Sequence, residues 1–135
     1  MKSRIFLDAS FWIAYRDARQ PDYSRANELV RHFFRERKNF ATTVPVFCEI
    51  HAHFARHMKR REEIISDFWR NPLMHLEPLI PADYDEALGI LKKQRDKNYP
   101  FCDVLSFVVM RRLGIKQAAS FDEHFRQFGE FEIIS

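Results

Sequence analysis

Six residues near the start of the chain, Ile5-Phe6-Leu7-Asp8-Ala9-Ser10, limit its fold more than any other stretch. A short apolar run that stops at a carboxylate, with a helix-start signal behind it, reads as a strand covered on both faces in a parallel sheet. Ligands of open α/β sheets bind beyond the carboxyl ends of the strands, so Asp8 is a candidate for chemistry. Ser10 is placed to cap a helix begun by Phe11 and Trp12. A single Asp after a single strand is equally a turn-former or a cap, and the other acids of the chain have to decide between these readings.

The rest of the chain repeats the strand–helix alternation. Asp22 opens a helix in which Ala26, Leu29, Val30, Phe33 and Phe34 recur at helical spacing. Phe40 to Thr43 reads as a second strand ending in hydroxyls, and Pro45 suits the first turn of a third helix carrying Glu49. Ile64, Ile65 and Phe68 mark a fourth helix, and Leu73 to Leu79 an edge strand, given Pro78. Asp83 and Glu86 have capping-box spacing at the start of a fifth helix, whose expected buried stripe is Tyr84, Ala87, Leu88 and Leu91. Phe101 to Leu113 is apolar except at Asp103, Ser106, Arg111 and Arg112, as expected of a central helix, and Gly114 suits its C-terminus. Gln117 to Phe121 reads as a strand stopping at Asp122; a helical turn and a closing strand, Phe131 to Ile134, follow. This order predicts an α/β fold with a mainly parallel central sheet and helices on its faces, in a single domain spanning residues 1–135.

Composition excludes several classes. With 46% hydrophobic residues the chain is globular rather than disordered. A net charge of +3 permits an anionic partner without requiring one. Cys48 and Cys102 have no CxxC spacing and read as buried free thiols of a cytoplasmic protein. No stretch approaches the roughly 18 apolar residues of a membrane span. Met1-Lys2-Ser3-Arg4 runs straight into the first strand, without the apolar segment of a signal peptide.

Four acids share one local context: Asp8 and Asp122 follow strands, while Glu49 and Asp103 lie in opening turns of helices. In a parallel sheet all four can reach one cleft. Four adjacent carboxylates need a cation to remain ionised together, and an all-oxygen set suits Mg²⁺ or Mn²⁺. One or two such ions would lower the pKa of a water and stabilise charge on a scissile phosphodiester. Ser10 and Ser120 stand close enough in sequence to two of the acids to support them. His53 and His57 lack the order of a zinc helix and read as solvated, as do the pairs Arg111-Arg112 and Lys92-Lys93. A phosphoryl-accepting domain is disfavoured, because Asp8-Ala9-Ser10 lacks a second acid.

Leu7 to Ala14, Thr42-Thr43 leading to Glu49, Asp103 to Ile115, and Ser120 to Phe125 resemble the successive motifs of PIN-domain ribonucleases, in order. The nearest likeness within that family is to the VapC-type toxins of prokaryotic toxin–antitoxin pairs. The resemblance implies a three-layer α/β/α sandwich and an Mg²⁺- or Mn²⁺-dependent endoribonuclease. It matches Asp8, Glu49, Asp103 and Asp122 to the acidic tetrad and Ser10 and Ser120 to its polar accompaniment. It also implies a homodimer and a small VapB-like antitoxin. Ser120 stands where Thr is more usual, and Tyr99-Pro100-Phe101-Cys102 is less polar than the common version.

Overall fold

The computed structural model describes residues 4–135; Met1 to Ser3, read above as a short lead-in, lie outside the described residues. The elements run β1 (Arg4–Leu7), α1 (Ala9–Arg16), α2 (Tyr23–Arg35), β2 (Asn39–Thr43), α3 (Val44–Phe54), α4 (Met58–Trp69) and β3 (Met74–Glu77). They continue with α5 (Pro81–Lys93), α6 (Phe101–Leu113), β4 (Gln117–Ala119), α7 (Glu123–Phe128) and β5 (Glu132–Ile134).

The five strands form one parallel sheet in the order β3-β2-β1-β4-β5. From β1 the chain steps outward to β2 and β3, then returns past β1 to add β4 and β5 on the other side. Parallel crossovers are right-handed, so reversing the direction of travel transfers the connecting helices to the opposite face. Helices α1 to α4 therefore form one layer, packed pairwise, and α5 to α7 form the other. The result is the expected three-layer sandwich. The reversal occurs between β1 and β4, where Phe6 pairs with Ala118 and Leu7 with Ala119. A crevice at the carboxyl ends of two strands that diverge in this way is the binding position of open α/β sheets.

Burial follows the layers. Ile5, Phe6 and Leu7 are all buried, as a central strand covered on both faces requires. Phe6 of β1 and Phe107 of α6 both pack on Phe125 of α7, with Phe107 stacked on Phe128 at 4.2 Å. On the other face Trp12 is wedged against Phe40 and Phe68 while its indole N–H donates to Asp67 at 2.9 Å. Arg16 also binds that carboxylate, so α1 is tied to α4 by packing and charge together. No helix among the described residues is long and apolar enough to cross a membrane.

Several local expectations are corrected. Helix α5 starts at Pro81, so Asp83 is not its first cap residue; its carboxylate instead accepts the Ile80 N–H at 3.0 Å. Asp83 is buried and receives both Nε and Nη2 of Arg112, each at 2.9 Å. That pair turns Asp83, Ala87 and Ile90 inward, leaving Tyr84 and Leu88 exposed rather than in the buried stripe. Arg111 and Arg112 are exposed, as expected of a solvated pair, and both are ion-paired as well: Arg111 binds Glu86 and Glu130, and Arg112 binds Asp83. His53 and His57 are exposed, as expected; His53 also meets the buried Asp17 at 3.0 Å, and His57 accepts the Arg60 N–H as the cap of α4. Cys48 is exposed rather than buried, and Cys102 is half-buried.

Candidate active site

The carboxyl end of β1 delivers Asp8 into the crevice. Its backbone is extended (φ −83°, ψ 155°) and its carbonyl accepts the Phe11 N–H, so Asp8 starts α1 without using its side chain as a cap. The carboxylate is buried and occupied by two hydroxyls: Ser10 Oγ donates to Asp8 Oδ2 at 2.6 Å and Ser120 Oγ at 2.8 Å. Ser10 is therefore a clamp on Asp8 rather than a helix cap. Each hydroxyl also accepts a backbone N–H from the β4–α7 turn, Phe121 to Ser10 and Asp122 to Ser120, both at 3.0 Å. A hydroxyl has one proton and two lone pairs, so this pattern commits both protons to Asp8. Burial pushes the Asp8 carboxyl up and the two hydroxyls pull it down, with burial the larger effect.

Asp103 comes from the first turn of α6, which begins after Pro100 because proline's missing N–H costs nothing there. It is buried. Burial, followed by the negative charge of Asp8, raises its carboxyl from 3.8 to about 7. Asp122 begins α7, and its Oδ1 accepts the His124 N–H at 3.0 Å. That bond folds the turn so that the imidazole returns over the crevice. His124 Nδ1 lies 3.0 Å from Asp103 Oδ2 and 3.1 Å from Asp122 Oδ1.

The structure thus brings together three of the four acids named from sequence. Asp8, Asp103 and Asp122 feel one another's charge, and Asp103, Asp122 and His124 present donor atoms all within 4.8 Å of one another. Such a group could hold a divalent cation, and an acid kept near neutrality by its neighbours is what a cation would relieve. Asp8 lies outside that trio of donors. Glu49 also lies outside it, exposed on α3, and reaches the group through the Cys102 thiol. That thiol is pushed up by burial first, then by Glu49, Asp103 and Asp8. Sequence reasoning gave no role to His124. Its signal was position: a histidine two residues beyond an acid at a strand end, in the first turn of a helix, returns to the same rim.

A family model for the PIN domain matches residues 5–130. The chain belongs to the PIN-domain family. It is 28% identical over 130 residues to the 23S rRNA-specific endonuclease VapC20 of Mycobacterium tuberculosis, covering 96% of this chain and 97% of that protein. The crystal structure of VapC20, described as a sarcin–ricin loop cleaving toxin, superposes with a TM-score of 0.83 at 24% identity, over 97% of this chain and 99% of that one. VapBC2 from Rickettsia felis, solved bound to a DNA fragment from its promoter, superposes at 0.68 with 10% identity over 97% of each chain. At such identities these solved structures speak for the fold, and the fold places the Asp8–Asp103–Asp122 crevice at its sheet reversal.

Proposed function

We propose that this PIN protein is a metal-dependent endoribonuclease and the toxin of a VapBC-like toxin–antitoxin pair. One observation carries the reading: Asp8, Asp103 and Asp122, drawn from three separated segments, meet at the carboxyl edge of the sheet, with Asp8 fixed by two hydroxyls. The 28% identity to an endonuclease whose named substrate is 23S rRNA supports RNA as the substrate class. The solved toxin–antitoxin complexes of the same fold support a small antitoxin as partner.

In this reading Asp103 and Asp122 hold Mg²⁺ or Mn²⁺, with Asp8 beside them as a fixed negative charge. Glu49, exposed on α3 and linked to the acids through the Cys102 thiol, serves a second ion or its waters. The bound cation supplies Lewis acidity, lowering the pKa of a water and neutralising charge on the phosphate. Ser10 and Ser120 keep Asp8 in one rotamer and tie it to the turn bearing Asp122, so the acids on β1 and α7 stay in register. The toxin acts in the cytoplasm as a homodimer.

The test is cleavage of a structured RNA pool, including 23S rRNA, by purified protein with Mg²⁺, Mn²⁺ or EDTA, beside Asp8→Asn and Asp122→Asn. Cutting that needs a divalent ion and is lost in both folded variants is the expected result. Equal behaviour of wild type and variants, or undiminished cutting in EDTA, refutes the proposal.

A further inference from the structure

His124 is not one of the four acids, yet its Nδ1 lies between two of them, Asp103 and Asp122. It stands 3.0 Å from Asp103 Oδ2 on α6 and 3.1 Å from Asp122 Oδ1 at the start of α7. The two carboxylates come from different elements, and the imidazole nitrogen is the atom they share. The donor atoms of Asp103, Asp122 and His124 all lie within 4.8 Å of one another, close enough to meet on one ion.

The ring is also held there. The His124 N–H donates to Asp122 Oδ1 at 3.0 Å, which fixes the start of the side chain. The edge-on ring of buried Tyr99, 5.8 Å away at 87°, supports the imidazole from the side. Tyr99 is itself wedged against Phe107 and Phe128, so the support is part of the core. An imidazole fixed on a rigid base loses little entropy when it takes a ligand.

We propose that His124 Nδ1 is a direct ligand of the divalent cation held by Asp103 and Asp122, and that this mixed nitrogen–oxygen set favours Mn²⁺ over Mg²⁺. Mg²⁺ is a hard ion that keeps oxygen ligands and several waters, whereas imidazole suits transition metals. An all-carboxylate site distinguishes the two ions weakly; replacing one oxygen by an imidazole nitrogen penalises Mg²⁺. As a ligand the ring is a neutral imidazole that offers the Nδ1 lone pair to the metal and keeps its proton on Nε2. The inference rests on the metal-dependent reading of the site and adds to it a fifth residue and a preferred ion.

Pulsed electron paramagnetic resonance of full-length protein, stripped of metal and loaded with Mn²⁺, tests it without reference to activity. The expected spectrum contains ¹⁴N modulation from a coordinated imidazole, replaced by a ¹⁵N signal when the histidines are ¹⁵N-labelled. The modulation disappears in His124→Gln. By calorimetry His124→Gln weakens Mn²⁺ binding by about 10–100-fold and Mg²⁺ binding much less, with circular dichroism verifying its fold. Mn²⁺ bound to wild type without nitrogen modulation overturns the assignment of His124 and leaves the nuclease reading standing. Equal losses for both ions make His124 an orienting residue and also overturn it. Wild type that binds neither ion removes both proposals together.

Discussion

Asp103→Asn is the substitution with the best-defined consequence for the metal-free protein. The folded state raises this carboxyl from 3.8 to about 7, chiefly by burial and then by the adjacent charge of Asp8. Below about pH 4 the group is neutral in both folded and unfolded chains and contributes nothing. Between about 4 and 7 the unfolded chain ionises while the folded one stays protonated, so stability falls as pH rises. Above about 7 the penalty is constant. Roughly three pH units at 1.36 kcal/mol each set a ceiling of about 4 kcal/mol. Water at the mouth of the crevice and the nearby His124 reduce this to about 1–2 kcal/mol. An asparagine of the same shape keeps a side-chain oxygen beside His124 Nδ1 and cannot ionise.

In EDTA, then, the variant should match wild type near pH 4.5 and exceed it by about 1–2 kcal/mol at pH 8. Urea unfolding curves at the two pH values measure the difference directly. Saturating Mn²⁺ should reverse the order at pH 8, because the ion binds the folded wild type and stabilises it by mass action. A variant whose advantage is independent of pH, or absent at pH 8, would refute the view that Asp103 is an acid held in strain by its neighbours.

Three further outcomes follow from the geometry. Ser120→Ala removes one of the two donors to Asp8 and the acceptor of the Asp122 N–H; it should cost about 1–3 kcal/mol in urea unfolding and lower RNA cleavage about 10–100-fold, with Ser120→Thr retaining both. Arg112→Met leaves the buried Asp83 carboxylate without its bidentate partner and should destabilise the fold by about 3 kcal/mol at pH 7. Asp83 is depressed in the folded state, so that loss should shrink as pH falls below about 4, as unfolding at pH 3 and 7 would show. Gly114→Ala places a Cβ on a left-handed residue (φ +69°) with open space around it; a cost of about 1 kcal/mol, read as a few degrees in melting temperature, is purely conformational.

The layered fold was legible because its signals are local. Apolar runs ending at Asp8 and Thr43, the periodic α2 and the greasy α6 each report their own burial. That Asp8, Asp103 and Asp122 converge was legible from their shared context, because strand ends and helix starts lie on the same edge of a parallel sheet. What escaped depends on partners distant in sequence. Arg112 and Asp83 lie 29 residues apart, and their pairing rotates the buried face of α5 away from Tyr84 and Leu88. His53 and Asp17 are 36 apart. His124 faces Asp103 only once β4 has paired with β1, so its position in the sequence was visible and its role was not. Cys48 was misread for a simpler reason: a small residue on an amphipathic helix does not reveal which side of the stripe it occupies.

The strand order also governs when the anionic centre comes into being. Asp8 is placed by the first strand, but its clamp at Ser120 and its neighbours Asp122 and His124 lie more than a hundred residues later, across the β1–β4 junction. Chains are made from the N-terminus onward and long-range parallel pairing is slow. A growing polypeptide therefore carries its acids as separate, harmless pieces through most of synthesis. Closure of one strand pair assembles them at once, so any partner that silences the centre needs to act only on the finished molecule.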